Sequence, residues 1–182
     1  MMKSFLSKIR FDTSQDRLGP DCPFTHWKLY FESSRKKLCT NLFYRYGMNA
    51  DFRAGAYAVN CSKISLGENV IIRPQCMLFG DPRGDGPNII IKNNVMMGSG
   101  VHIYVANHKF NVPNINIINQ GHSGHEPVIL EEGCWIGANT IILPGVIIGR
   151  NAVVAAGSIV TKSIPDRVLC AGNPAKILKK LD

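Results

Sequence analysis

Residues 130–165 read LEEGCW-IGANTI-ILPGVI-IGRNAV-VAAGSI-VTKSIP, which is a run of six consecutive blocks of six residues. Each block begins with a branched aliphatic residue, from Leu130 to Val160, and its fifth position is mostly small or β-branched. A six-residue period matches neither the alternation of a strand nor the 3.6-residue turn of a helix. Six residues suffice for a short strand and a tight bend, and their repetition predicts a triangular coil with the aliphatic side chains inside.

The same phase continues towards the N-terminus. Upstream blocks, the last three after a slip of one residue near Pro82–Pro87, begin with Leu66, Ile72, Leu78, Ile91, Met97 and Ile103. One coil cannot hide its apolar side chains from water, so the repeat is stable only as a stack of coils. Bends need tight or left-handed backbone angles, and glycine or asparagine occupies them at Gly67, Asn69, Asn94, Gly133, Asn139, Gly145 and Asn151.

The segment from Trp135 to Val168 and the closing residues Ala171–Lys176 closely resemble the hexapeptide-repeat acyltransferases, and most of all the sugar O-acetyltransferases of the maltose, galactoside, capsule and O-antigen type. The resemblance covers roughly residues 64–180. It implies an all-β fold, a left-handed parallel β-helix, and a homotrimer with active sites between subunits. We therefore expect a β-helix domain at 61–182 with a short C-terminal tail, preceded by an N-terminal helical or irregular segment at 1–60.

Residues 1–60 do not repeat. Between about Pro23 and Tyr46, apolar side chains recur at roughly helical spacing, at Phe24, Trp27, Tyr30, Phe31, Leu38 and Leu42. The other side of this segment carries Lys28, Arg35, Lys36 and Lys37. The simpler interpretation is an amphipathic helix that packs on the β-helix and exposes a solvated basic face. The alternative is that this face contacts membrane phosphate or an anionic acceptor.

Residues from about 106 to 127 interrupt the repeat. This asparagine-rich segment holds three of the five histidines: His108, His122 and His125. Loops of this length in a compact repeat are usually functional. Because the coils hold both of its ends, we expect the loop to project over a neighbouring subunit.

Transfer of an acetyl group from a thioester to a hydroxyl needs a base for the hydroxyl proton, donors for the oxyanion and a cleft for the thioester carrier. Imidazole is suited to be the base at neutral pH. His108 matches the catalytic histidine of the similar enzymes, and the resemblance implies that it is the general base. Asn107 beside it is a candidate for binding the acceptor or for orienting His108.

By the same resemblance, coenzyme A lies along the edges of the coils. The oxyanion donor maps to the backbone amide of Ala138, and Ala156 maps to a position whose backbone groups bind the pantetheine arm. Trp135 either lines this groove or packs at a bend. Positions near the phosphates of the coenzyme correspond to Thr161, Lys162, Lys176 and Lys179. Some relatives carry arginine at the last two; lysine keeps the charge but lacks the two-pronged geometry. Simple solvation is the alternative for each of these lysines.

The histidines also raise the question of a metal site. Some hexapeptide-repeat proteins are carbonic anhydrases, with two ligands spaced His-x4-His and a third histidine well upstream. Here two residues separate His122 from His125, and five separate His102 from His108, so the pattern differs. We expect no metal, and we expect His122 and His125 to shape the acceptor pocket or to form hydrogen bonds within the loop.

Composition narrows the classes of function. The 182-residue chain has a formal net charge of +8 and a pI near 9.3, which favours anionic ligands. It has no apolar run long enough to span a membrane, and its first residues lack the apolar core of a signal peptide. Six widely spaced cysteines favour reduced thiols in a cytoplasmic protein. Without an aromatic-basic motif we expect no nucleic-acid partner.

These observations predict an acetyl-CoA-dependent O-acetyltransferase that uses acetyl-CoA as co-substrate. The acceptor is a sugar or surface-polysaccharide hydroxyl, and transfer is direct, within a ternary complex. Three alternatives remain open at this stage. They are a metalloenzyme of the carbonic anhydrase type, an acetyltransferase for serine or an antibiotic, and a scaffold without catalysis.

Overall fold

The computed structural model of the chain describes residues 16–182. Its helices are α1 (Pro23–His26), α2 (Glu32–Leu42) and short 3₁₀ segments at Trp27–Tyr30, Cys61–Lys63 and Ile117–Asn119. Its strands are β1 (Arg17–Leu18), β2 (Arg45–Tyr46), β3 (Asp51–Phe52), β4 (Tyr57–Val59), β5 (Ile64–Leu66), β6 (Ile71–Ile72), β7 (Met77–Phe79), β8 (Ile89–Ile91), β9 (Met96–Met97), β10 (His102–Tyr104), β11 (Val128–Leu130), β12 (Trp135–Ile136), β13 (Ile141–Ile142), β14 (Ile147–Ile148), β15 (Val153–Val154), β16 (Ile159–Val160), β17 (Val168–Gly172) and β18 (Ala175–Lys180).

The strands form three sheets, and successive strands pass from one sheet to the next. Sheet A has the order β1-β4-β7-β10-β13-β16, sheet B has β2-β5-β8-β11-β14, and sheet C has β3-β6-β9-β12-β15-β17-β18. Within each sheet, neighbouring strands from β2 to β17 pair in parallel. The pairs β1–β4 and β17–β18 are antiparallel. Each turn of the chain therefore adds one strand to every sheet, which confirms the predicted triangular coil of parallel strands.

The interior of the coil consists of the residues that define the period. All six block-initial residues from Leu130 to Val160 are fully buried, and so are their upstream counterparts from Leu66 to Ile103 to within 1%. The fifth positions of the six blocks that begin at Leu130 are buried too, including the polar Thr140 and Ser158, whose hydroxyls donate to the carbonyls of Gly137 and Ala155. Burying each aliphatic side chain stabilises the fold by about 1.5–3 kcal/mol. Burial repeated at every sixth position therefore stabilises the stack of coils.

The bends are held by asparagine. The backbone at Asn139 and Asn151 is left-handed, with φ of 57° and 51°, a conformation that asparagine tolerates better than most residues. Asparagine side chains also connect successive coils, because the amide of Asn69 donates to Asn94 Oδ1 at 3.0 Å. The predicted role of these residues at bends is thus accounted for by their backbone angles and by their contacts between coils.

The N-terminal region differs from the predicted single helix. Phe31 has extended backbone angles (φ −115°, ψ 122°) and separates the α1 and 3₁₀ segment from α2. Four side chains expected on the packed face are exposed instead: Phe24, Trp27, Tyr30 and Phe31. Leu29 and Cys39 are the residues of these segments that are buried in the core. No helix within residues 16–182 is long and apolar enough to cross a membrane.

Two boundaries also differ from expectation. Parallel pairing already begins at β2, which pairs with β5, so the coil starts at Arg45 and not at residue 61. At the other end, the expected short tail is a hairpin of β17 and β18. In many blocks the strand is only two residues long, and a strand that short is hard to distinguish from irregular chain by sequence pattern alone. The segment 106–127 lies between β10 and β11.

Candidate active site

Successive bends from sheet C to sheet A lie above one another and form an open groove of about 620 Å³. We call this edge of the coil the groove corner. Its lining includes Arg73, Gly98, Ser99, Trp135, Gly137, Ala138, Val153, Ala156 and Leu169. Three residues singled out in the sequence, Trp135, Ala138 and Ala156, therefore meet at one groove. Trp135 is half exposed along its wall.

The floor of the groove is made of small residues because the coils approach each other closely there. A Cβ atom placed on Gly137 would lie 2.4 Å from the amide nitrogen of Ala156, and one on Gly98 would lie 2.6 Å from that of Ala138. Real Cβ atoms are not found this close to backbone atoms. Glycine at these two positions thus lets the backbone of the next coil come to the surface of the groove.

Three backbone amides of this floor are available to a ligand. Within residues 16–182, the amide nitrogens of Ser99, Ala138 and Ala156 have no hydrogen-bond acceptor, whereas the neighbouring Gly137 and Gly157 amides donate to Val154 and Ala138 carbonyls at 2.8 Å. Unpaired N–H groups at a water-accessible groove can donate to a carbonyl or an oxyanion. The structure therefore presents one donor at each of three successive bends.

The polar residues expected near coenzyme phosphates lie on two different edges. Lys179 pairs in register with Leu169, which lines the groove, and Lys176 pairs with Ala171 in the same hairpin. Both lysines are exposed. Thr161 and Lys162 are also exposed, but they follow β16 of sheet A, where the chain leaves that sheet in the direction of sheet B. The structure does not bring these two to the groove of the same chain.

The edge between sheets A and B, here called the loop corner, carries the inserted loop. The two ends of this loop are joined by backbone hydrogen bonds from Lys109 to Gly121 (3.0 Å) and from Ser123 to Asn107 (2.8 Å). This pairing places the rings of His108 and His122 side by side, with centroids 4.2 Å apart and planes inclined by 33°. Asn107 is exposed, and its backbone atoms contact Ser123.

A second cavity, of about 460 Å³, lies at the loop corner, and we call it the loop pocket. Its lining includes Asn60, Phe79, Asp81, Arg83, Val105 and His122. Asp81 is almost fully buried and accepts hydrogen bonds from Arg83 Nε at 2.8 Å and Nη2 at 2.6 Å. These bonds lower the pKa of the Asp81 carboxyl to about 2. His125 Nδ1 lies 3.9 Å from Asp81 Oδ1, at the rim of this charged pair.

The histidines do not assemble a metal site in this chain. Among the residues that the structure describes, no three histidine, cysteine, aspartate or glutamate side chains are grouped as metal ligands would be. His102 lies on sheet A, where its Nδ1 is 3.3 Å from the Tyr104 hydroxyl. It therefore does not join the pair formed by His108 and His122.

No cysteine is available as a nucleophile. All six are buried and free. Burial raises the pKa of the thiols of Cys39 and Cys134 to about 12, and it also raises that of the Cys61 thiol. A buried neutral thiol is a poor nucleophile because the reactive species is the thiolate.

Comparisons with known proteins agree with this architecture. Residues 127–162 match the family model described as the hexapeptide repeat of succinyl-transferase. A maltose O-acetyltransferase from Clostridium difficile 630, known from its crystal structure, is 30% identical, with a TM-score of 0.74 over 88% of this chain and 83% of its own. The chain belongs to the hexapeptide-repeat acetyltransferases.

Two further relatives of this chain are informative. A galactoside acetyltransferase solved in complex with coenzyme A is 27% identical, with a TM-score of 0.75 over 88% of this chain and 78% of its own. The galactoside O-acetyltransferase of Lactococcus lactis is 41% identical over 98 residues, which are 54% of this chain and 46% of that protein. The match also covers 57% of the putative acetyltransferase YJL218W of Saccharomyces cerevisiae and 64% of the putative acetyltransferase C18B11.09c of Schizosaccharomyces pombe, so the chain spans less than two thirds of each of these curated relatives.

Sequence reasoning missed several residues that line the two cavities. Gly98 and Ser99 follow the block-initial Met97 as Gly137 and Ala138 follow Ile136, so the alignment of blocks contained the signal. Arg83 lies in the slip between Pro82 and Pro87, where the period is lost, and Asp81 lies directly before it, so no pattern pointed to their pairing. The contact between His108 and His122 was missed for the same reason.

Proposed function

We propose that this chain is an acetyl-CoA-dependent O-acetyltransferase that acts on a hydroxyl group of a sugar, such as a building block of a surface polysaccharide. The observation that carries the proposal is the groove whose floor holds unpaired amides, among them those of Ala138 and Ala156, in a coil whose next edge presents an imidazole. The galactoside and maltose acetyltransferases among the relatives support a sugar as acceptor.

Each part of the groove corner has a role in this proposal. The pantetheine arm lies along the small residues of the floor and accepts a hydrogen bond from the Ala156 amide. The Ala138 amide donates to the thioester oxygen, and it donates more strongly as that oxygen gains charge in the tetrahedral intermediate. Trp135 covers the groove from the side. The coenzyme A complex of a related galactoside acetyltransferase supports the assignment of this groove to the carrier.

His108 is the general base in this proposal. Its imidazole accepts the proton of the sugar hydroxyl as the oxygen attacks the thioester carbon, and it then returns the proton to the leaving thiolate of coenzyme A. Transfer is direct, within a ternary complex, because the buried cysteines offer no thiolate for an acetyl-enzyme. Asn107 and the loop pocket bind the acceptor.

We propose further that the coil is left-handed and that the chain forms a homotrimer, in line with the hexapeptide-repeat relatives. The groove is formed by the bends that lead into sheet A, whereas the imidazole of His108 follows the end of strand β10 of the same sheet, so the two lie on different edges of one coil. A base must be within hydrogen-bond reach of its proton. In the trimer, the loop corner of one subunit lies against the groove corner of the next, and Lys176, Lys179, Thr161 and Lys162 of both approach the coenzyme phosphates. We propose a cytoplasmic location, which the free thiols and the use of acetyl-CoA support.

The test is a thiol-release assay with acetyl-CoA and a panel of sugars, amino acids and amines. We expect thiol release with a sugar acceptor, and a decrease of about 10²–10⁴-fold in kcat for His108→Ala, the range that general base catalysis contributes. Coenzyme A binding by calorimetry and the trimer by light scattering remain unchanged. His26→Ala, which removes an imidazole from α1, is the matched control and keeps full activity.

Two results contradict the proposal. Near-normal turnover of His108→Ala removes His108 as the base. Transfer to amino acids or amines in preference to every sugar removes the assigned acceptor class and leaves the enzyme class intact.

A further inference from the structure

The foot of the inserted loop fixes two imidazole rings against each other. His108 and His122 are opposite each other in an antiparallel bridge, and hydrogen bonds on both sides of the bridge, from Lys109 to Gly121 and from Ser123 to Asn107, keep it in register. The ring centroids are 4.2 Å apart. At this distance the two rings are in contact. The backbone pairing of the two residues brings the rings together.

A general base works only when its ring is held in a productive orientation, which a third group usually provides by a hydrogen bond. Within residues 16–182, the ring nitrogens of His108 have no hydrogen-bond partner, and the side-chain amide of Asn107 does not contact them. Asp81 and Arg83 are occupied with each other, and the imidazole nearest to them is that of His125. The ring of His122 is the group that the described contacts place against His108.

We infer that His122 is a positioning residue, which holds the imidazole plane of His108 through the face of its own ring. The inference rests on the proposed function, because it assumes that His108 acts as the base. It assigns to His122 the ring itself and not a ring nitrogen, since the two rings are in a tilted contact, 33° at a centroid distance of 4.2 Å, and no hydrogen bond within residues 16–182 joins their nitrogens. His122 also lines the loop pocket, so the acceptor, when bound there, packs beside the same pair.

The kinetic test compares His122→Phe with His122→Ala. Phenylalanine keeps a flat ring in the same place and removes both nitrogens, whereas alanine removes the ring. With acetyl-CoA and methyl β-galactoside, we expect kcat of His122→Phe within about twofold of wild type. We expect a decrease of about three- to tenfold for His122→Ala, the effect of losing one aromatic pair. The KM for acetyl-CoA stays constant in both variants, and His26→Ala is again the control.

The structural test needs no acceptor. In the full-length protein labelled with ¹³C at histidine Cε1, the five histidines give separate signals that single substitutions assign. We expect cross-relaxation between the ring protons of His108 and His122. We also expect the His108 signal to shift and broaden in His122→Ala and to remain sharp in His122→Phe.

The outcomes separate the two proposals. If His122→Phe loses as much activity as His122→Ala, a ring nitrogen is required and the inference is overturned. Unchanged kcat in His122→Ala, or absence of cross-relaxation between the two rings, overturns it as well while leaving His108 as the base. A wild-type protein that transfers no acetyl group, or a fully active His108→Ala variant, contradicts the proposed function even when the ring contact is observed.

Discussion

The groove corner and the loop corner belong to the same coil, yet they are built in opposite ways. The groove corner consists of small residues on regular bends, and its chemical groups are backbone amides, such as those of Ala138 and Ala156. The loop corner interrupts the period, and its chemical groups are side chains: His108, His122 and the pair of Asp81 and Arg83. Backbone groups follow from the fold, whereas side-chain groups can change without altering it.

This difference suggests how work is divided in such an enzyme. A groove that uses backbone donors serves a carrier that is common to many reactions, because any sequence that keeps the repeat also keeps the donors. A pocket made of side chains on a loop serves the acceptor, which distinguishes one reaction from another. This division of roles is tested by matched pairs of substitutions, in which one position lies in the coil or its groove and the other lies in the loop region.

The largest expected effect on stability comes from the period itself. Ile142 is fully buried in sheet A, whereas Ile118 at the tip of the loop is 82% exposed. We expect Ile142→Ala to lower the free energy of unfolding by roughly 2–5 kcal/mol and Ile118→Ala to change it by no more than about 0.5 kcal/mol. Urea unfolding at one fixed protein concentration measures both. Equal effects contradict the assignment of stability to the coil and not to the loop.

A smaller effect is expected from the close approach in the groove. Gly137→Ala places a Cβ atom against the Ala156 amide, while a Cβ atom on Gly124 in the loop would meet no atom within 4 Å, on a backbone that is not left-handed. We expect Gly137→Ala to cost about 1–3 kcal/mol and to weaken coenzyme A binding, measured by calorimetry. Gly124→Ala keeps both. Unimpaired coenzyme A binding by Gly137→Ala shows that the groove floor is not the carrier site.

The smallest effect concerns the charged pair of the loop pocket. The bonds from Arg83 lower the pKa of Asp81 from 3.8 to about 2 in the folded protein. A lowered folded-state pKa stabilises the protein above the unfolded value, and this contribution is lost as the pH falls from 3.8 to about 2. We expect the stability difference between wild type and Asp81→Asn to shrink over that interval.

The exposed Asp85, two residues beyond Arg83, provides the matched control for this titration. Asp85→Asn is expected to run parallel to wild type over the same interval of pH, in thermal unfolding scans at each pH. A stability difference for Asp81→Asn that is constant over the whole interval shows that the carboxylate is not held by Arg83.

Sequence predicted the coil because burial repeats at every sixth position, and one rule therefore covers residues such as Leu130, Ile136 and Val160. The resemblance to known enzymes led to Ala138 and Ala156, and the structure brings both to one groove. The roles assigned to them and to His108 remain predictions. The ring contact of His108 could not be predicted, because the pairing that makes it depends on how the irregular loop closes on itself.

The N-terminal segment shows a different limit of pattern reasoning. Aromatic residues at positions 24, 27, 30 and 31 are compatible with one face of a helix, but they are equally compatible with a turn of helix followed by an extended residue. Residue spacing predicts the face on which a side chain lies only while the helix continues, and here the helical backbone is interrupted at Phe31. The exposed aromatic side chains follow from that interruption.

The antiparallel strands at the two ends of the coil have a further consequence. A column of parallel strands ends in unpaired N–H and C=O groups, onto which another molecule of the same chain can add as if it were the next rung. Strand β1 runs against sheet A at one end, and β18 runs against sheet C at the other. Each reversal covers one edge of one sheet, so at these two edges a second molecule would meet an antiparallel strand and not the next parallel strand of the coil.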